Sequence, residues 1–186
     1  RRVNVMLTKP IHGWSEFKLD GTLRYELSYL DDIAFEWVAQ AIHGLETMMP
    51  FCVKGFLVPN RFLCTVSYWN CHIVCEDDER YPLDKEDVTN EISHTNMLQF
   101  CQYLYDDISQ NIDEWASFVS YDNSDVEEKK KTLIHKLNHL KELISERAGT
   151  SPKYPSLQFL SSPWLHRMQV GYTPTIFHSG HTLPHG

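Results

Sequence analysis

The stretch FCVKGFLVPNRFLCTVSYWNCHIVCED, residues 51–77, decides the fold of this chain. It contains three short runs rich in β-branched and aromatic residues, which span 51–58, 61–68 and 71–77. Turn-forming pairs, Pro59-Asn60 and Trp69-Asn70, separate them. Runs of this composition between turn residues are typical of strands. We therefore predict a three-stranded antiparallel meander, followed by a polar loop over Glu79–Asn90.

Three of the five cysteines of the chain lie in this meander, beside a histidine. Cys71 and Cys75 have the C-x3-C spacing of a zinc knuckle, and Cys64 and His72 are the nearest further ligands. A zinc site, a redox site and a piece of core are therefore the three alternatives for this stretch.

A two-residue turn at Trp69-Asn70 predicts the register of the last two strands. The predicted pairs are Tyr68 with Cys71, Val66 with Ile73, and Cys64 with Cys75. Successive side chains of a strand point to opposite faces, so the three thiols share the apolar face and His72 lies on the other. This arrangement favours buried core cysteines over zinc ligands. Oxidation to a Cys64–Cys75 disulfide stays conceivable, because directly opposed residues are close enough.

A hairpin is predicted before the meander, from residues 12–19 and 22–30. Asp20-Gly21 separates these two alternating runs, and Asp-Gly favours a type I′ turn. A helix is predicted next, from Asp31 or Asp32 to Met48, since the apolar period changes to three or four residues there.

The second half of the chain has helical periodicity. One apolar stripe runs from Met97 to Val119, which predicts a single long helix. A second helix begins at Ser124, where Ser124 and Glu127 form a capping box, and ends just before Gly149.

These elements predict an α+β fold: an antiparallel sheet, made of the hairpin and the three-stranded meander, with one inserted helix and two long C-terminal helices. We expect residues 1–149 to form a single domain. Residues 150–186 hold five of the nine prolines and are expected to be a C-terminal extension, packed on the domain or partly mobile.

The net charge of −8 argues against binding to nucleic acid or to an anionic membrane, because both need basic patches. No apolar run is long enough to span a membrane, and the start RRVNVMLTKP lacks the apolar region of a signal peptide. Five cysteines in a chain of this size favour free thiols in a reducing cytoplasm.

Clusters of carboxylates predict a docking surface for a basic protein, where charge complementarity speeds association. One cluster ends the meander and the others lie on the first long helix. The candidate partner-binding residues are Glu76, Asp77, Asp78, Glu79, Asp106, Asp107, Asp113 and Glu114.

Other candidate chemistry is sparse. His135 and His139 share a helix face but lack the further ligands of a helical zinc site. His178, His181 and His185 cluster near the C-terminus. Cys101 lies in a helix stripe, where burial makes a thiol unreactive. No nucleophile elbow, phosphate loop or paired-carboxylate signature is present, so the sequence predicts neither catalytic residues nor a cofactor.

The phrase YELSYLDDI, residues 25–33, is a strand that runs into an acidic helix start, and the helix continues as AFEWVAQAIHGL. Over roughly residues 12–78 this order resembles the small cytoplasmic immunity proteins of bacterial polymorphic-toxin and contact-dependent growth inhibition systems. The resemblance implies a non-enzymatic protein that binds and neutralises a cognate toxin domain, often a nuclease. Such proteins are commonly acidic.

Two other functions stay open from the sequence. One is a metal-binding protein or metal-dependent enzyme that uses the cysteines and histidines. The other is an accessory subunit of a larger assembly, phage or viral, with the aromatic residues of 150–186 as its interface.

Overall fold

The computed structural model describes residues 5–77, 88–119 and 125–149. The chain divides into two units, Arg1–Ser151 and Pro152–Gly186, and every described element belongs to the first. The α+β prediction is confirmed. The elements are β1 (Trp14–Phe17), β2 (Tyr25–Ser28), α1 (Ile33–Thr47), β3 (Phe51–Phe56), β4 (Asn60–Val66), β5 (Cys71–Asp77), β6 (Thr89–Ser93), α2 (Met97–Gln110), α3 (Ile112–Ala116) and α4 (Val126–Gly149).

The strands form two antiparallel sheets, whereas the sequence predicts one. β1 pairs with β2, and β3, β4, β5 and β6 form a four-stranded sheet in that order. β6 overlaps the last two residues of the predicted loop, Thr89 and Asn90, and continues to Ser93. Its sequence, TNEIS, has one large apolar residue, Ile92, which is 61% exposed. The strand therefore carries no apolar alternation, and its pairing with β5 determines its conformation.

The register predicted for β4 and β5 is wrong by two residues. Val66 pairs with Cys71, and Cys64 therefore lies opposite Ile73. The reason is that the two-residue turn lies one residue earlier, at Tyr68-Trp69, where the Ser67 N–H donates to the Asn70 carbonyl oxygen (2.9 Å). A shift by an even number keeps each side chain on its face, so the three thiols are buried together as predicted. The opposition of Cys64 and Cys75 is not observed.

The core lies between one face of the four-stranded sheet and the elements that cover it. Phe62, fully buried in β4, contacts Phe17 of the hairpin with ring centroids 5.0 Å apart and stacks on Trp37 of α1 at 6.1 Å. Trp37 and Phe51 both contact Phe100 of α2. Hairpin, sheet and two helices therefore share one aromatic cluster, and aromatic side chains bury large apolar areas.

The type I′ turn lies at His12-Gly13 and not at Asp20-Gly21. His12 and Gly13 both have positive φ, 50° and 79°. Ile11 and Trp14 exchange backbone hydrogen bonds of 2.9 and 3.0 Å across this turn. These are the marks of a two-residue hairpin loop.

Asp20-Gly21 does form a hydrogen-bonded turn, in which the Thr22 N–H donates to the Leu19 carbonyl oxygen (3.2 Å), but it is not of type I′, because only Gly21 has positive φ. The connection between β1 and β2 spans residues 18–24, and its exposed centre, Asp20-Gly21, lies between two buried residues. Leu19 and Thr22 are buried there, and the Thr22 hydroxyl donates to the Leu19 carbonyl oxygen (3.0 Å). The burial of Leu19 and Thr22 accompanies a turn at the predicted position but of a different type.

A strand-like segment, Val5–Thr8, runs beside β1 and completes the hairpin region. Leu7 forms a bridge with Phe17, and the Thr8 N–H donates to the Glu16 carbonyl oxygen (3.0 Å). Met6 and Leu7 are buried. The sequence analysis assigns no structure to this segment.

Helix α1 agrees with its prediction to within two residues at each end. Met48 has the left-handed conformation (φ 53°) at its C-cap, and Trp37 donates its indole N–H to the Lys54 carbonyl oxygen on the sheet edge (2.8 Å). Gly44 permits close packing on β3, since a Cβ there would lie 2.2 Å from a ring carbon of Phe51.

The predicted first long helix is two helices, α2 and α3, with a break at Asn111. The Asn111 side chain donates to the Asp107 carbonyl oxygen (3.2 Å), and asparagine competes for helix hydrogen bonds in this way. α2 starts with a capping box between Asn96 and Gln99. The capping box predicted at Ser124 lies outside the described residues.

Helix α4 packs on α1, α2 and α3. Its buried stripe consists of Leu133, Leu137, Leu140, Leu143 and Ile144. Arg147 donates its Nε–H to the Leu45 carbonyl oxygen of α1 (3.0 Å), which satisfies one of the last acceptors of that helix.

Candidate functional site

The carboxylates predicted at the end of the meander are only partly described. Glu76 lies on the outer face of β5, where Arg61 forms an ion pair with it at 3.0 Å. Asp77 is the last residue of β5 and pairs with Asn60 in the ladder. Asp78 and Glu79 lie outside the described residues.

The exposed carboxylates on α2 and α3 have intramolecular partners. Asp113 forms an ion pair with Lys130, and Glu114 forms one with Lys9, each at 2.5 Å. Hydrogen bonding to Lys9 lowers the pKa of Glu114, and hydrogen bonding to Asp113 raises the pKa of Lys130. Asp106 accepts a hydrogen bond from the Gln102 amide (3.0 Å). These carboxylates are therefore largely compensated within the molecule.

Asp107 cannot belong to a docking surface, because it is only 3% exposed. Its Oδ2 accepts hydrogen bonds from the backbone N–H groups of Met6 and Leu7, both at 2.8 Å. Burial raises the pKa of its carboxyl to about 6, against the lowering effect of these two bonds. The role of this side chain is to hold Val5–Thr8 on α2, and its prediction as a partner-binding residue is corrected.

The cysteines of the meander are packed as core residues. Cys64 and Cys71 are fully buried, and hydrogen bonding to Cys71, together with burial, raises the pKa of the Cys64 thiol well above its usual value. Burial also raises the pKa of Cys75, and that of Cys101 to about 12. A protonated buried thiol is a poor nucleophile and a poor metal ligand. Cys52, on the outer face of β3, is the exposed thiol of the chain.

No metal centre forms within residues 5–77, 88–119 and 125–149, where no three histidine, cysteine, aspartate or glutamate side chains are placed to hold an ion. His139 instead contacts the Glu46 carboxylate of α1 (2.8 Å), so one member of the predicted histidine pair joins two helices. His178, His181 and His185 lie outside the described residues.

The structure presents a groove on the hairpin that the sequence analysis does not predict. Its volume is about 440 Å³, and we call it the hairpin groove. It lies between the Val5–Thr8 segment with its following turn and the outer face of β1 and β2. Its lining residues are Thr8, Lys9, Ile11, Trp14, Ser15, Glu16 and Glu26.

The apolar side of the hairpin groove is exposed to solvent. Ile11 is 62% exposed and Trp14 is 39% exposed, and the type I′ turn at His12-Gly13 places the two side by side. Tryptophan is enriched at protein interfaces, because its ring packs against apolar groups while its N–H binds polar ones.

Two glutamates form the polar side of the groove. Glu16 of β1 lies directly opposite Glu26 of β2. Like charges in direct cross-strand opposition are destabilising, so this pair requires compensation. Arg24 supplies part of it through an ion pair with Glu16 at 3.0 Å. Glu26 is exposed and has no hydrogen bond or ion pair to any described residue.

The other charges of the groove are already paired. Lys9 lines it but is bound to Glu114 outside it. The groove and its ion-pair partners contain two cations, Lys9 and Arg24, and three carboxylates, Glu16, Glu26 and Glu114. The net charge is therefore −1, beside an exposed indole. Ser28, the partner of Trp14 in the ladder, is buried on the same side, and its hydroxyl has no partner among the described residues.

A second exposed feature is an apolar tip at one end of the four-stranded sheet. It consists of Trp69, 81% exposed, with Tyr68, Met48 and Met49. The Tyr68 hydroxyl donates to the Met48 carbonyl oxygen and joins the β4–β5 turn to the end of α1. In the sequence, Trp69 is predicted only as a turn residue.

One signal of the groove was present in the sequence. His12-Gly13 stands between residues that can pair, and recognition of this turn would have placed Ile11 beside Trp14. The opposition of Glu16 and Glu26 depends on the length of the β1–β2 loop, which local patterns did not reveal.

None of the helices in the described part of the chain is both long and apolar enough to cross a membrane. Comparisons of the chain with protein-family models, with curated proteins and with solved structures find no match.

Proposed function

We propose that this chain is a non-enzymatic protein-binding domain that neutralises a basic partner, as an immunity protein neutralises its cognate toxin domain. The observation that carries the proposal is the hairpin groove, where two opposed glutamates stand beside an exposed tryptophan. A chain with a net charge of −8 attracts a basic partner from a distance, and such a groove provides a local contact for it.

The proposal relocates the binding surface relative to the carboxylates predicted from the sequence. Asp113 and Glu114 are each bound to a lysine, so a partner would have to displace that lysine before it gained the charge. Glu26 lacks such a competitor among the described residues. An interaction with Glu26 therefore gains Coulomb energy without the loss of an existing pair.

The thiols are compatible with action in the cytoplasm. All five cysteines are free, and four of them are buried. A reducing compartment keeps such thiols unpaired.

The test takes the C-terminal domain of the protein encoded by the adjacent gene and measures its binding to this chain by calorimetry between 50 and 500 mM salt, together with the loss of any toxic activity of that domain. We expect binding that weakens steeply with salt, because charge steering is screened within about 10 Å at 0.1 M. Absence of binding, or binding and neutralisation that salt does not change, would contradict the proposal.

A second candidate, a subunit of a larger assembly, is favoured by the apolar tip. A four-residue cluster that includes an 81% exposed tryptophan is the kind of surface that a neighbouring subunit covers. The solution mass of the same preparation separates the two. A monomer that binds the toxin domain one to one supports the immunity proposal, and a stable oligomer that releases Trp69 only on dissociation supports the assembly.

A further inference from the structure

We propose that the hairpin groove binds one arginine side chain of the partner protein, with the guanidinium stacked on Trp14 and hydrogen-bonded to Glu26. This inference rests on the proposed function and specifies its contact. The observations that carry it are the shape of the groove, its exposed indole and its charge.

The charge of the groove calls for one cation. Its two lysine and arginine neighbours, Lys9 and Arg24, are each bound to one carboxylate, and Glu26 remains as the group without a partner in the described structure. A single monovalent side chain would bring the net charge to zero. It would also relieve the repulsion between the opposed Glu16 and Glu26.

Arginine suits the groove better than lysine. Its planar guanidinium stacks on an aromatic face and presents five donors in a fixed fork, so it can contact a ring and two carboxylates together. Opposed residues of an antiparallel pair have Cβ atoms about 5 Å apart, a separation that such a fork can bridge. Within the molecule one guanidinium already binds a carboxylate of this pair, since Nη1 of Arg24 lies 3.0 Å from Glu16.

The apolar side of the hairpin groove adds a packing contact to the electrostatic one, which would make the groove select a side chain by shape as well as by charge. Ile11 and Trp14 are both exposed, and the methylene stem of an arginine would cover part of that surface. The volume of about 440 Å³ accommodates one side chain with its flanking backbone and not a folded element.

The direct test uses a pentapeptide with one central arginine between glycines, and its citrulline analogue, which has nearly the same shape without the charge. Binding is followed through the indole N–H resonance of Trp14, assigned with Trp14→Phe. We expect the arginine peptide to shift this resonance and the citrulline peptide to leave it in place. Equal shifts with both peptides, or none with either, would overturn the inference.

The variant series uses Glu26→Gln and Trp14→Ala, with Glu142→Gln as the matched control. Glu142 is an exposed carboxylate on α4, away from the groove residues. We expect Glu26→Gln to weaken binding of the arginine peptide about ten-fold, as the loss of one charge-assisted hydrogen bond predicts. Glu142→Gln should leave it unchanged. Equal weakening by both glutamine variants would show a general charge effect and overturn the specific site.

The same variants separate this inference from the proposed function. If the toxin domain binds with steep salt dependence but Trp14→Ala and Glu26→Gln bind it as the wild type does, the groove is not the contact and the function stands. If the toxin domain does not bind while the arginine peptide still shifts Trp14, the function falls and the arginine site stands.

Discussion

The hairpin region, Val5–Ser28, and the four-stranded sheet are both antiparallel β structure, but different forces hold them. The sheet has a continuous ladder through β3, β4, β5 and β6 and a fully apolar buried face in its two central strands. The hairpin has only four pairs in its ladder. It depends on polar contacts from distant parts of the chain.

Three long-range contacts position the hairpin region. Asp107 of α2 binds the N–H groups of Met6 and Leu7, Glu91 of β6 accepts from the Tyr25 hydroxyl, and Ser93 donates to the Asp20 carbonyl oxygen. A four-pair hairpin is marginal by itself, so these contacts and the aromatic cluster supply what the ladder lacks. The exposed groove thus lies on the hairpin, the part of the fold that depends most on contacts from other segments for its stability.

The largest effect is expected from Asp107→Ala. Two buried N–H groups would lose their acceptor, at about 1–3 kcal/mol each, so the free energy of unfolding should fall by about 2–6 kcal/mol. Denaturant unfolding measures the loss, and hydrogen exchange should show the amides of Met6 and Leu7 losing protection. Unchanged stability would contradict the role assigned to Asp107.

Asp107→Asn is the matched control for that variant, because its amide oxygen can still accept both bonds. It also isolates a pH effect. The pKa of Asp107 is raised in the folded state to about 6, so the wild type holds a proton there that the unfolded chain has released. The contribution of Asp107 to the free energy of unfolding should therefore be greatest below about pH 4, decrease as the pH rises through 6, and then level off. The asparagine variant should lack this step.

A smaller effect is expected within the sheet, from Cys64→Ser. A hydroxyl replaces a thiol at a fully buried position, and a poorly satisfied buried hydroxyl costs about 1–3 kcal/mol. Cys52→Ser makes the same change on the exposed face of β3, where we expect less than about 0.5 kcal/mol. Thermal unfolding of the two variants measures the difference between the faces. Equal losses would mean that the inner face is not the packed one.

The smallest difference is expected between Gly13→Ala and Gly21→Ala. Both glycines have positive φ, near 80°, so alanine strains either turn by about 1–2 kcal/mol. At Gly13 the new methyl group would also lie 2.7 Å from a ring carbon of Tyr29, whereas at Gly21 nothing lies within 4 Å. Gly13→Ala should therefore be less stable by about a further 1 kcal/mol. A larger loss at Gly21 would reverse our assignment of the tighter turn.

The meander, residues 51–77, shows which features a local sequence pattern can predict. Alternation placed Cys64, Cys71 and Cys75 on one buried face, and this held although the register was wrong, since a two-residue shift preserves the face. Helix α1 was also predicted closely, because its apolar period and flanking Pro50 are local signals. β6 and the break at Asn111 were missed, since the former depends on pairing with β5 and the latter on one side-chain hydrogen bond.

Which carboxylates are available to a partner depends on contacts with residues distant in the sequence. Asp106, Asp107, Asp113 and Glu114 look alike as acidic residues of a helical stretch. In the structure Asp107 is buried beneath Met6 and Leu7, and Lys9 and Lys130 neutralise two of the others. Helical periodicity does place Asp107 on the face of Phe100 and Leu104, away from Asp106. It does not reveal that the backbone N–H groups of Met6 and Leu7, about a hundred residues away in the chain, are the partners of Asp107.

The sequence by itself determined the α+β class, the strands of the meander, the burial face of its cysteines and the negative charge. Each of these follows from composition or from contacts between neighbours in the chain. Only the tertiary structure decided the split into two sheets, the role of Asp107 and the opposition of Glu16 and Glu26 beside Trp14. Those features arise where segments far apart in sequence compete for the same hydrogen bonds and buried surface, and the outcome depends on the whole fold.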